Sequence, residues 1–258
     1  MKVTGISQIK IGNESLQRID YIGCDNLADW ALLRTPEAGN DWLVCIHGHG
    51  SNGDQLYVRE DLRDSWLPEF IKLGFGILTP NLRGNAWMGK SAAQDMSDLL
   101  DFLREEWNAD KFVFASGSMG GTSNLIYASL HPENVAAVVA LGAASDLAAY
   151  HAWCRERNQG VISEIADAIE QAYGGTPAEH PENYKAHSVL VNSDKLTMPV
   201  FIAHGSSDEL IPVSEMRLLC GKLAQSPKFV YAEVPDGNHD SPLHRIDSFI
   251  WAAEKARQ

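Results

Sequence analysis

Short runs of apolar residues alternate along this chain with segments in which apolar residues recur every three or four positions. Six of the runs are apolar on both faces or nearly so, as is typical of parallel strands covered by helices. These predicted strands span residues 41–48, 75–80, 111–117, 135–143, 198–205 and 228–235. The alternation predicts an α/β protein with a mostly parallel central sheet flanked by helices.

Helical periodicity is clearest in three segments, which span residues 91–107, 212–224 and 241–256. Ser91 is expected to cap the first of these helices, and Pro242 suits the first turn of the last one. Nearer the start of the chain, residues 16–23 and 29–35 predict a leading antiparallel pair of strands.

One segment interrupts this alternation. Residues 147–196 are helical in pattern and polar, and the segment is too long for a plain connection between neighbouring strands. We interpret it as a small helical cap or lid inserted over the carboxyl ends of the strands. On this interpretation residues 1–258 form a single domain that contains the insertion.

Composition and charge narrow the possible functions. The chain has 258 residues, 45% of them hydrophobic, and a formal net charge of −13. So acidic a chain is not expected to bind nucleic acid or an anionic membrane, because both require a basic surface. Its start lacks the apolar core of a signal peptide, and no apolar run approaches the roughly 20 residues that span a bilayer.

The cysteines indicate a compartment. Cys24, Cys45, Cys154 and Cys220 lie among apolar neighbours and form no C-x-x-C pair. We interpret them as free, buried thiols in a reducing compartment, which predicts a cytoplasmic protein. A disulfide between two of them stays an open alternative.

A serine surrounded by small residues marks the end of one predicted strand. In the run S-G-S-M-G-G, Ser118 has Ser116 two positions before it and Gly120 two positions after it. Small residues at both places permit a sharp strand-to-helix turn that exposes a nucleophilic serine. Ser116 is less suited to that role, because Phe114 lies two positions before it. The alternative is that Ser118 only caps the helix that follows.

A serine hydroxyl needs a base, and the base needs an acid that orients it. Asp208 and His239 each follow one of the last two predicted strands, at the edge of the sheet where sites form. The order Ser118, Asp208, His239 is the one expected of such a sheet. Asp146 remains an alternative acid, and His244 an alternative base.

An acyl-transfer site also needs hydrogen-bond donors for the oxyanion. We predict the backbone N–H groups of Met119, at a helix start, and of His49, in the loop H-G-H-G. The spacing of His47 and His49 also suggests a metal site, but no third ligand is near in the sequence. We therefore interpret both histidines as loop-shaping residues and expect neither metal nor cofactor.

Arg83 and two tryptophans, Trp87 and Trp153, are candidate substrate-binding residues, since they follow a strand end or belong to the inserted segment. Asn85, Tyr150 and Tyr173 are further candidates for lining the pocket. The alternatives are a structural ion pair for Arg83 and packing of the cap on the sheet for the aromatic residues.

Several of these motifs have counterparts in one family. The elements HGHG, NLRGNAWMG, SGSMGG, HGSSDELIPV and GNH resemble those of α/β-hydrolase-fold serine hydrolases, over essentially the whole chain. Residues 180–213 are similar to the catalytic domain of prolyl-oligopeptidase-type enzymes and related esterases. The resemblance implies Ser118 as nucleophile, Asp208 as acid and His239 as base. Peptidases of that branch usually carry an N-terminal propeller, for which this sequence has no room, so an esterase is expected.

These observations predict a serine esterase that acts on a small-molecule ester with compact acyl or alcohol groups. A peptidase or amidase, a non-catalytic ligand-binding protein, and acyl transfer to an acceptor other than water stay open as alternatives. The sequence does not predict the oligomeric state.

Overall fold

The computed structural model describes all residues from Met1 to Gln258. Nine strands form one sheet, in the order β1-β2-β3-β5-β4-β6-β7-β8-β9. The strands are β1 (Lys2–Ile11), β2 (Glu14–Ile22), β3 (Ala28–Arg34), β4 (Trp42–Val44), β5 (Gly76–Pro80), β6 (Phe112–Gly117), β7 (Ala137–Leu141), β8 (Val200–Gly205) and β9 (Phe229–Val234).

The sheet has an antiparallel and a parallel part. β1, β2 and β3 pair antiparallel with their neighbours, and β3 pairs antiparallel with β5. From β5 across to β9 all pairings are parallel. This confirms the predicted mostly parallel sheet with a leading antiparallel pair, to which β1 adds a third strand that the apolar pattern did not predict.

Nine α-helices cover the two faces of the sheet. They are α1 (Gln55–Val58), α2 (Glu60–Lys72), α3 (Lys90–Trp107), α4 (Ser118–Leu130), α5 (Leu147–Arg157), α6 (Gly160–Tyr173), α7 (Pro181–His187), α8 (Val213–Leu223) and α9 (Asp247–Ala256). The apolar faces of α3, α4, α6 and α8 belong to one buried cluster, and those of α2 and α9 to the other. None of these helices combines the length and the apolar character needed to cross a bilayer.

The chain reverses its direction of travel across the sheet at β4. From β4 it moves to β5 on one side, and it later returns to place β6 on the other side of β4. At such a point two loops leave the carboxyl ends of neighbouring strands in opposite directions and leave a crevice between them. The loop after β4 carries residues 45–50, and β6 leads directly into α4 at Ser118, so the crevice lies beside Ser118.

Two predicted helix boundaries are wrong. Ser91 does not cap α3, because the helix already begins at Lys90 and Gly89 is its N-cap. Gly89 packs so closely against the backbone of Ala172 that a Cβ there would overlap it. At the end of the chain, α9 begins only at Asp247, and the residues before it form a 3₁₀ turn, Ser241–His244, with Pro242 in its first turn.

The segment 147–196 contains α5, α6, α7 and a 3₁₀ turn, Ser193–Lys195, between β7 and β8. α5 begins where the Asp146 carboxylate accepts a hydrogen bond of 2.9 Å from the Ala149 N–H, a typical N-cap. α6 buries Ile165, Ala166 and Ile169 on one face. The extent of the cap and its action as a lid stay predictions.

Candidate active site

Ser118 occupies a strained turn between β6 and α4. Its φ is +55°, in the left-handed region that costs a residue with a side chain roughly 1 kcal/mol. The turn also brings backbones into contact, since a Cβ on Gly120 would overlap the carbonyl oxygen of Ile46, and one on Gly117 would overlap the side chain of Leu243. The glycines are therefore needed for close approach, and the turn projects Ser118 from the end of the sheet.

The structure brings Ser118, His239 and Asp208 into one hydrogen-bonded line. Nε2 of His239 lies 2.9 Å from Oγ of Ser118, and Nδ1 of His239 lies 2.7 Å from Oδ2 of Asp208. Because a carboxylate only accepts hydrogen bonds, Nδ1 carries the hydrogen and Nε2 presents its lone pair to the serine. The three residues come from loops after β6, β8 and β9, and their catalytic roles stay predictions.

Asp208 is held as a carboxylate. Burial alone would raise its pKa, but hydrogen bonds from His204 and His239 and from the backbone N–H of Ile211 outweigh burial and hold the pKa well below its usual range. Oδ1 accepts the N–H groups of Leu210 at 2.8 Å and Ile211 at 2.9 Å, which leaves Oδ2 for the histidines. The carboxylate is therefore charged and oriented at neutral pH.

The alternative acid and base lie outside this arrangement. Asp146 caps α5 and accepts a hydrogen bond from the hydroxyl of Ser188. His244 ends the 3₁₀ turn after His239, is exposed, and makes no hydrogen bond to Ser118. Neither residue is placed to assist the serine.

The loop after β4 leaves one backbone donor free at the site. On either side of His49, the N–H of Gly48 donates to Oε1 of Gln55 at 2.8 Å, and the N–H of Gly50 donates to Oδ1 of Asn85 at 2.7 Å. The N–H of His49 has no acceptor within the protein, and neither has that of Met119 in the first turn of α4. Both predicted oxyanion donors are thus unpaired, and their role stays a prediction.

Ser116 connects the two loops that carry these donors. Its hydroxyl oxygen accepts the N–H of Ile46 at 2.8 Å and lies 3.4 Å from Oδ1 of Asn124, to which it donates. From the sequence, Ser116 was predicted to matter only because it is small, at a position where glycine is usual. Its hydroxyl holds the end of β4 against the end of β6. No local sequence pattern predicts this contact.

A cavity of about 260 Å³ opens beside Ser118, His49 and His239. Its walls are mostly apolar and come from two sides. One wall is formed by Leu56, Leu62, Trp66 and Leu243, and the other by Tyr150, Val161, Ile165, Leu210 and Ile211. The charged lining residues are Arg59 and Asp240, whose side chains lie 3.4 Å apart, and Arg59 also pairs with Asp61 at 2.7 Å.

The three predicted substrate-binding residues do not line this cavity. Arg83 turns away from it and forms ion pairs with the buried Asp95 and with Asp25 at the surface, which is the structural alternative. Trp87 and Trp153 pack behind the wall on Tyr150, with ring centroids 5.6 and 5.9 Å from it.

Local backbone geometry explains the orientation of Arg83 and Trp87. Leu82, Arg83, Trp87 and Met88 all have positive φ, which folds this loop back on itself. Trp87 is thereby buried, with Nε1 3.4 Å from Nδ1 of His49. Of the predicted aromatic candidates, Tyr150 lines the cavity, and its hydroxyl donates to the Leu210 carbonyl at 2.9 Å.

His47 and the four cysteines have mainly structural contacts. The ring nitrogens of His47 lie 2.8 Å from the Gly48 carbonyl oxygen and 3.0 Å from that of Asn81, so His47 fastens its loop. All four cysteines are free, and Cys24 is exposed, contrary to the prediction that all are buried, because it lies in the surface turn between β2 and β3. Cys45 lines the cavity, and burial raises its pKa to about 12.

Comparisons with known proteins agree with this architecture. A family model of the alpha/beta hydrolase fold matches residues 41–159. YtmA of Bacillus subtilis, described as an uncharacterized peptidase, is 26% identical over 187 residues, which cover 67% of this chain and 70% of YtmA.

Comparison with solved structures also finds similar folds, and the similarity covers a longer part of the chain. An acetyl xylan esterase from Paenibacillus sp. R4 superposes with a TM-score of 0.71 at 14% identity, covering 98% of this chain and 89% of the esterase. FphF, a fluorophosphonate-binding serine hydrolase of Staphylococcus aureus, superposes with a TM-score of 0.69 at 14% identity, covering 96% of this chain and 98% of FphF. At this identity the likeness concerns the fold alone.

Proposed function

We propose that this chain, which has the α/β-hydrolase fold, is a serine hydrolase that cleaves a carboxylic ester through an acyl-enzyme on Ser118. One observation carries the proposal. The hydroxyl of Ser118 lies 2.9 Å from the imidazole of His239, which is itself 2.7 Å from the Asp208 carboxylate, beside a cavity that admits a small molecule. A serine within hydrogen-bond reach of an oriented imidazole is an activated nucleophile.

The first half of the proposed reaction forms the acyl-enzyme. Oγ of Ser118 attacks the ester carbonyl carbon while Nε2 of His239 takes the hydroxyl proton, and Asp208 stabilises the resulting imidazolium. The N–H groups of His49 and Met119, which have no acceptor within the protein, receive the oxyanion. As the tetrahedral intermediate collapses, the carbon–oxygen bond to the alcohol breaks and the departing alkoxide takes the proton from His239.

The second half reverses these roles with water. His239 takes a proton from a water molecule as its oxygen attacks the acyl carbon, and the second tetrahedral intermediate collapses to release Ser118, which recovers the proton. The net reaction converts one ester and one water into a carboxylic acid and an alcohol. No electron is transferred, so the cycle requires no redox cofactor.

The cavity supports an uncharged, compact substrate. Its volume of about 260 Å³ lies just below the range of about 300–1,000 Å³ typical of ligand pockets, and its walls are mainly apolar. The cationic side chain of the lining, Arg59, is paired with both Asp61 and Asp240, so it is not free to hold the carboxylate terminus of a peptide. Esters are therefore favoured over peptides as substrates.

A peptidase or amidase is the second candidate, and the similarity to YtmA, described as a peptidase, favours it. Both reactions use the same nucleophile, base and oxyanion donors. Turnover of an aminoacyl arylamide at a rate equal to or above that of a matched phenyl ester would favour the amidase.

We also propose that the protein resides in the cytoplasm. The four cysteines are unpaired, as is usual for proteins of reducing compartments.

Substitution of the nucleophile tests the main proposal. We expect Ser118→Ala to lower kcat/KM for p-nitrophenyl acetate by about 1,000-fold or more, because the acyl-enzyme no longer forms. Ser129→Ala is a matched control on the same helix, since the Ser129 hydroxyl bonds to the Ile126 carbonyl oxygen and lies outside the cavity lining. Circular dichroism would check that both variants fold. Undiminished turnover by folded Ser118→Ala would overturn the proposal.

A further inference from the structure

His204 is a buried histidine next to the proposed acid that the reaction scheme does not use. It lies on β8, four residues before Asp208, and its side chain is fully buried. Nε2 of His204 is 2.8 Å from the Ile211 carbonyl oxygen and 3.3 Å from Oδ2 of Asp208. Both atoms accept hydrogen bonds only, so Nε2 carries a hydrogen, which it donates to the Ile211 carbonyl while Oδ2 of Asp208 lies within contact distance.

The same carboxylate oxygen serves both histidines. Oδ2 of Asp208 accepts the hydrogen bond from Nδ1 of His239 at 2.7 Å and is contacted by Nε2 of His204. Through the Ile211 carbonyl, His204 also holds the turn whose N–H groups bind Oδ1. His204 therefore contacts both the carboxylate and the backbone that orients it.

A purely structural histidine would be an unfavourable choice at this position. Nδ1 of His204 is buried and has no hydrogen-bond partner in the structure. Burying a polar atom without a partner is costly, and an apolar side chain of similar size would avoid that cost. The polar side chain is understandable if its other nitrogen is needed for Asp208.

We infer that His204 is a positioning residue for the reaction: its Nε2–H holds Oδ2 of Asp208 where that oxygen orients the imidazole of His239. The inference rests on the proposed function, because His204 acts on Ser118 only through Asp208 and His239. It extends the line of contacts to four residues, from Ser118 to His204 near the carboxyl end of β8.

Three other acidic side chains lie near this line, and two of them have ion-pair partners. Glu233, the β9 neighbour of His204 in the ladder, binds Arg217 and Tyr231. Asp240, which follows His239, contacts Arg59, and Glu209 follows Asp208. No hydrogen bond or ion pair joins Glu233, Glu209 or Asp240 to His204 or His239, but Glu233 interacts with His204 through its charge, so the pH profile is interpreted together with a double-mutant cycle that isolates the Asp208 contact.

Two substitutions separate the hydrogen bond from the bulk of the side chain. His204→Leu fills the space without a donor, whereas His204→Gln places an amide nitrogen the same number of bonds from Cα as Nε2. We expect His204→Leu to lower kcat about tenfold, as for loss of a buried hydrogen bond to a charged group, with KM changed less than about twofold. The acidic limb of the pH profile of kcat should move to higher pH in this variant. The reason is that Asp208, without the contact from His204, stabilises the imidazolium of His239 more strongly. His204→Gln should recover most of both effects.

A double-mutant cycle distinguishes positioning from general support of the fold. If His204 acts through Asp208, His204→Leu should lower kcat in the wild type but cause no further loss in Asp208→Asn. An equal further loss in Asp208→Asn would overturn the inference, and so would an unchanged kcat and pH profile in folded His204→Leu. If His204→Leu does not fold, His204→Asn replaces it, because its amide is too short to reach Asp208.

The outcome for the proposed function is read separately. If the wild type shows no Ser118-dependent ester turnover, the proposed function fails and the inference fails with it. If the wild type turns over esters and the His204 variants match it, only the inference fails.

Discussion

The loops at the carboxyl ends of β4, β6, β8 and β9, here called the strand-end rim, differ sharply from the segment 147–196. In the strand-end rim, three side chains are joined by contacts of 2.7 and 2.9 Å, and backbones touch at Gly120. The segment 147–196 supplies only apolar surface to the cavity, through Tyr150, Val161 and Ile165. The rim depends on the positions of individual atoms, whereas the segment depends on the volumes of side chains.

This difference follows from how each region is held. Parallel ladder pairing fixes the ends of β6, β8 and β9 relative to one another, so loops only a few residues long reach the same site. α5 and α6 are joined at the surface by ion pairs of Arg155 with Asp167 and Glu170, but their cavity side is held by packing of apolar faces, which tolerates exchange of one apolar residue for another of similar volume. We therefore expect substitutions in the rim to remove activity and substitutions in the segment to change selectivity.

The largest expected effect tests whether the residues of the strand-end rim carry out the proposed reaction. We expect Asp208→Asn to lower kcat by about 10,000-fold, because an amide stabilises the wrong tautomer of His239 and does not stabilise its imidazolium. The measurement is the steady-state hydrolysis of a p-nitrophenyl ester. A loss smaller than tenfold would mean that the rim tolerates substitution as the segment does, and the comparison would break down.

The same variant has a pH-dependent effect on stability. The pKa of Asp208 is lower in the folded protein than in the unfolded chain, so its charge stabilises the fold above the unfolded pKa, and this contribution is lost as pH falls. We expect Asp208→Asn to lower the free energy of unfolding by about 1–2 kcal/mol at pH 7 and by less below about pH 4. Urea denaturation at both pH values checks this sign.

The next effect tests the close approach of backbones in the rim. A methyl group at Gly120 would overlap the Ile46 carbonyl oxygen, so we expect Gly120→Ala to destabilise the protein by about 3 kcal/mol or to prevent folding. Gly221→Ala is the matched control, since Gly221 lies in α8 with no atom near the added methyl group. There we expect a gain of about 0.5–1 kcal/mol. Similar thermal midpoints for the two variants would contradict the prediction.

The smallest expected effect tests whether the segment 147–196 determines which substrates are accepted. Tyr150 separates the main cavity from a second cavity of about 50 Å³, which Ala149, Trp153 and Pro212 also line. We expect Tyr150→Ala to join the two, raising kcat/KM for a p-nitrophenyl octanoate relative to the butyrate by about tenfold. Tyr150→Phe keeps the wall and loses only the hydrogen bond to Leu210, so its ratio should match the wild type. An unchanged ratio in Tyr150→Ala would show that this wall does not select substrates.

The parallel strands β4 to β8 were predictable because both of their faces are buried. Residues 112–117 and 200–205 read as continuous apolar runs, and their bounds were within two residues of the observed ones. β1 was missed because most of its residues are exposed on both faces, so its sequence shows no apolar period. The predicted strand at 41–48 was too long, since Cys45 and Ile46 are buried in the loop beyond the three residues of β4.

The site was only partly predictable for a similar reason. Ser118, Asp208 and His239 were found because each follows a strand end, and strand ends of a parallel sheet meet at one edge. Arg83, Trp87 and Trp153 were placed in the pocket because of their position in the sequence. Their orientation depends on a run of left-handed residues and on packing against Tyr150, which no local pattern encodes.

The amino-acid sequence by itself determined the parallel core and the chain order of serine, carboxylate and imidazole, because periodic burial and residue order are properties of the linear chain. Only the tertiary structure decided that the imidazole lies within 2.9 Å of both the serine and the carboxylate, that His204 contacts Asp208 from the interior, and that Tyr150 rather than Trp153 faces the main cavity. The reason is physical: contacts between residues up to 121 positions apart depend on the relative placement of strands and on side-chain orientation, which are set when the whole fold packs.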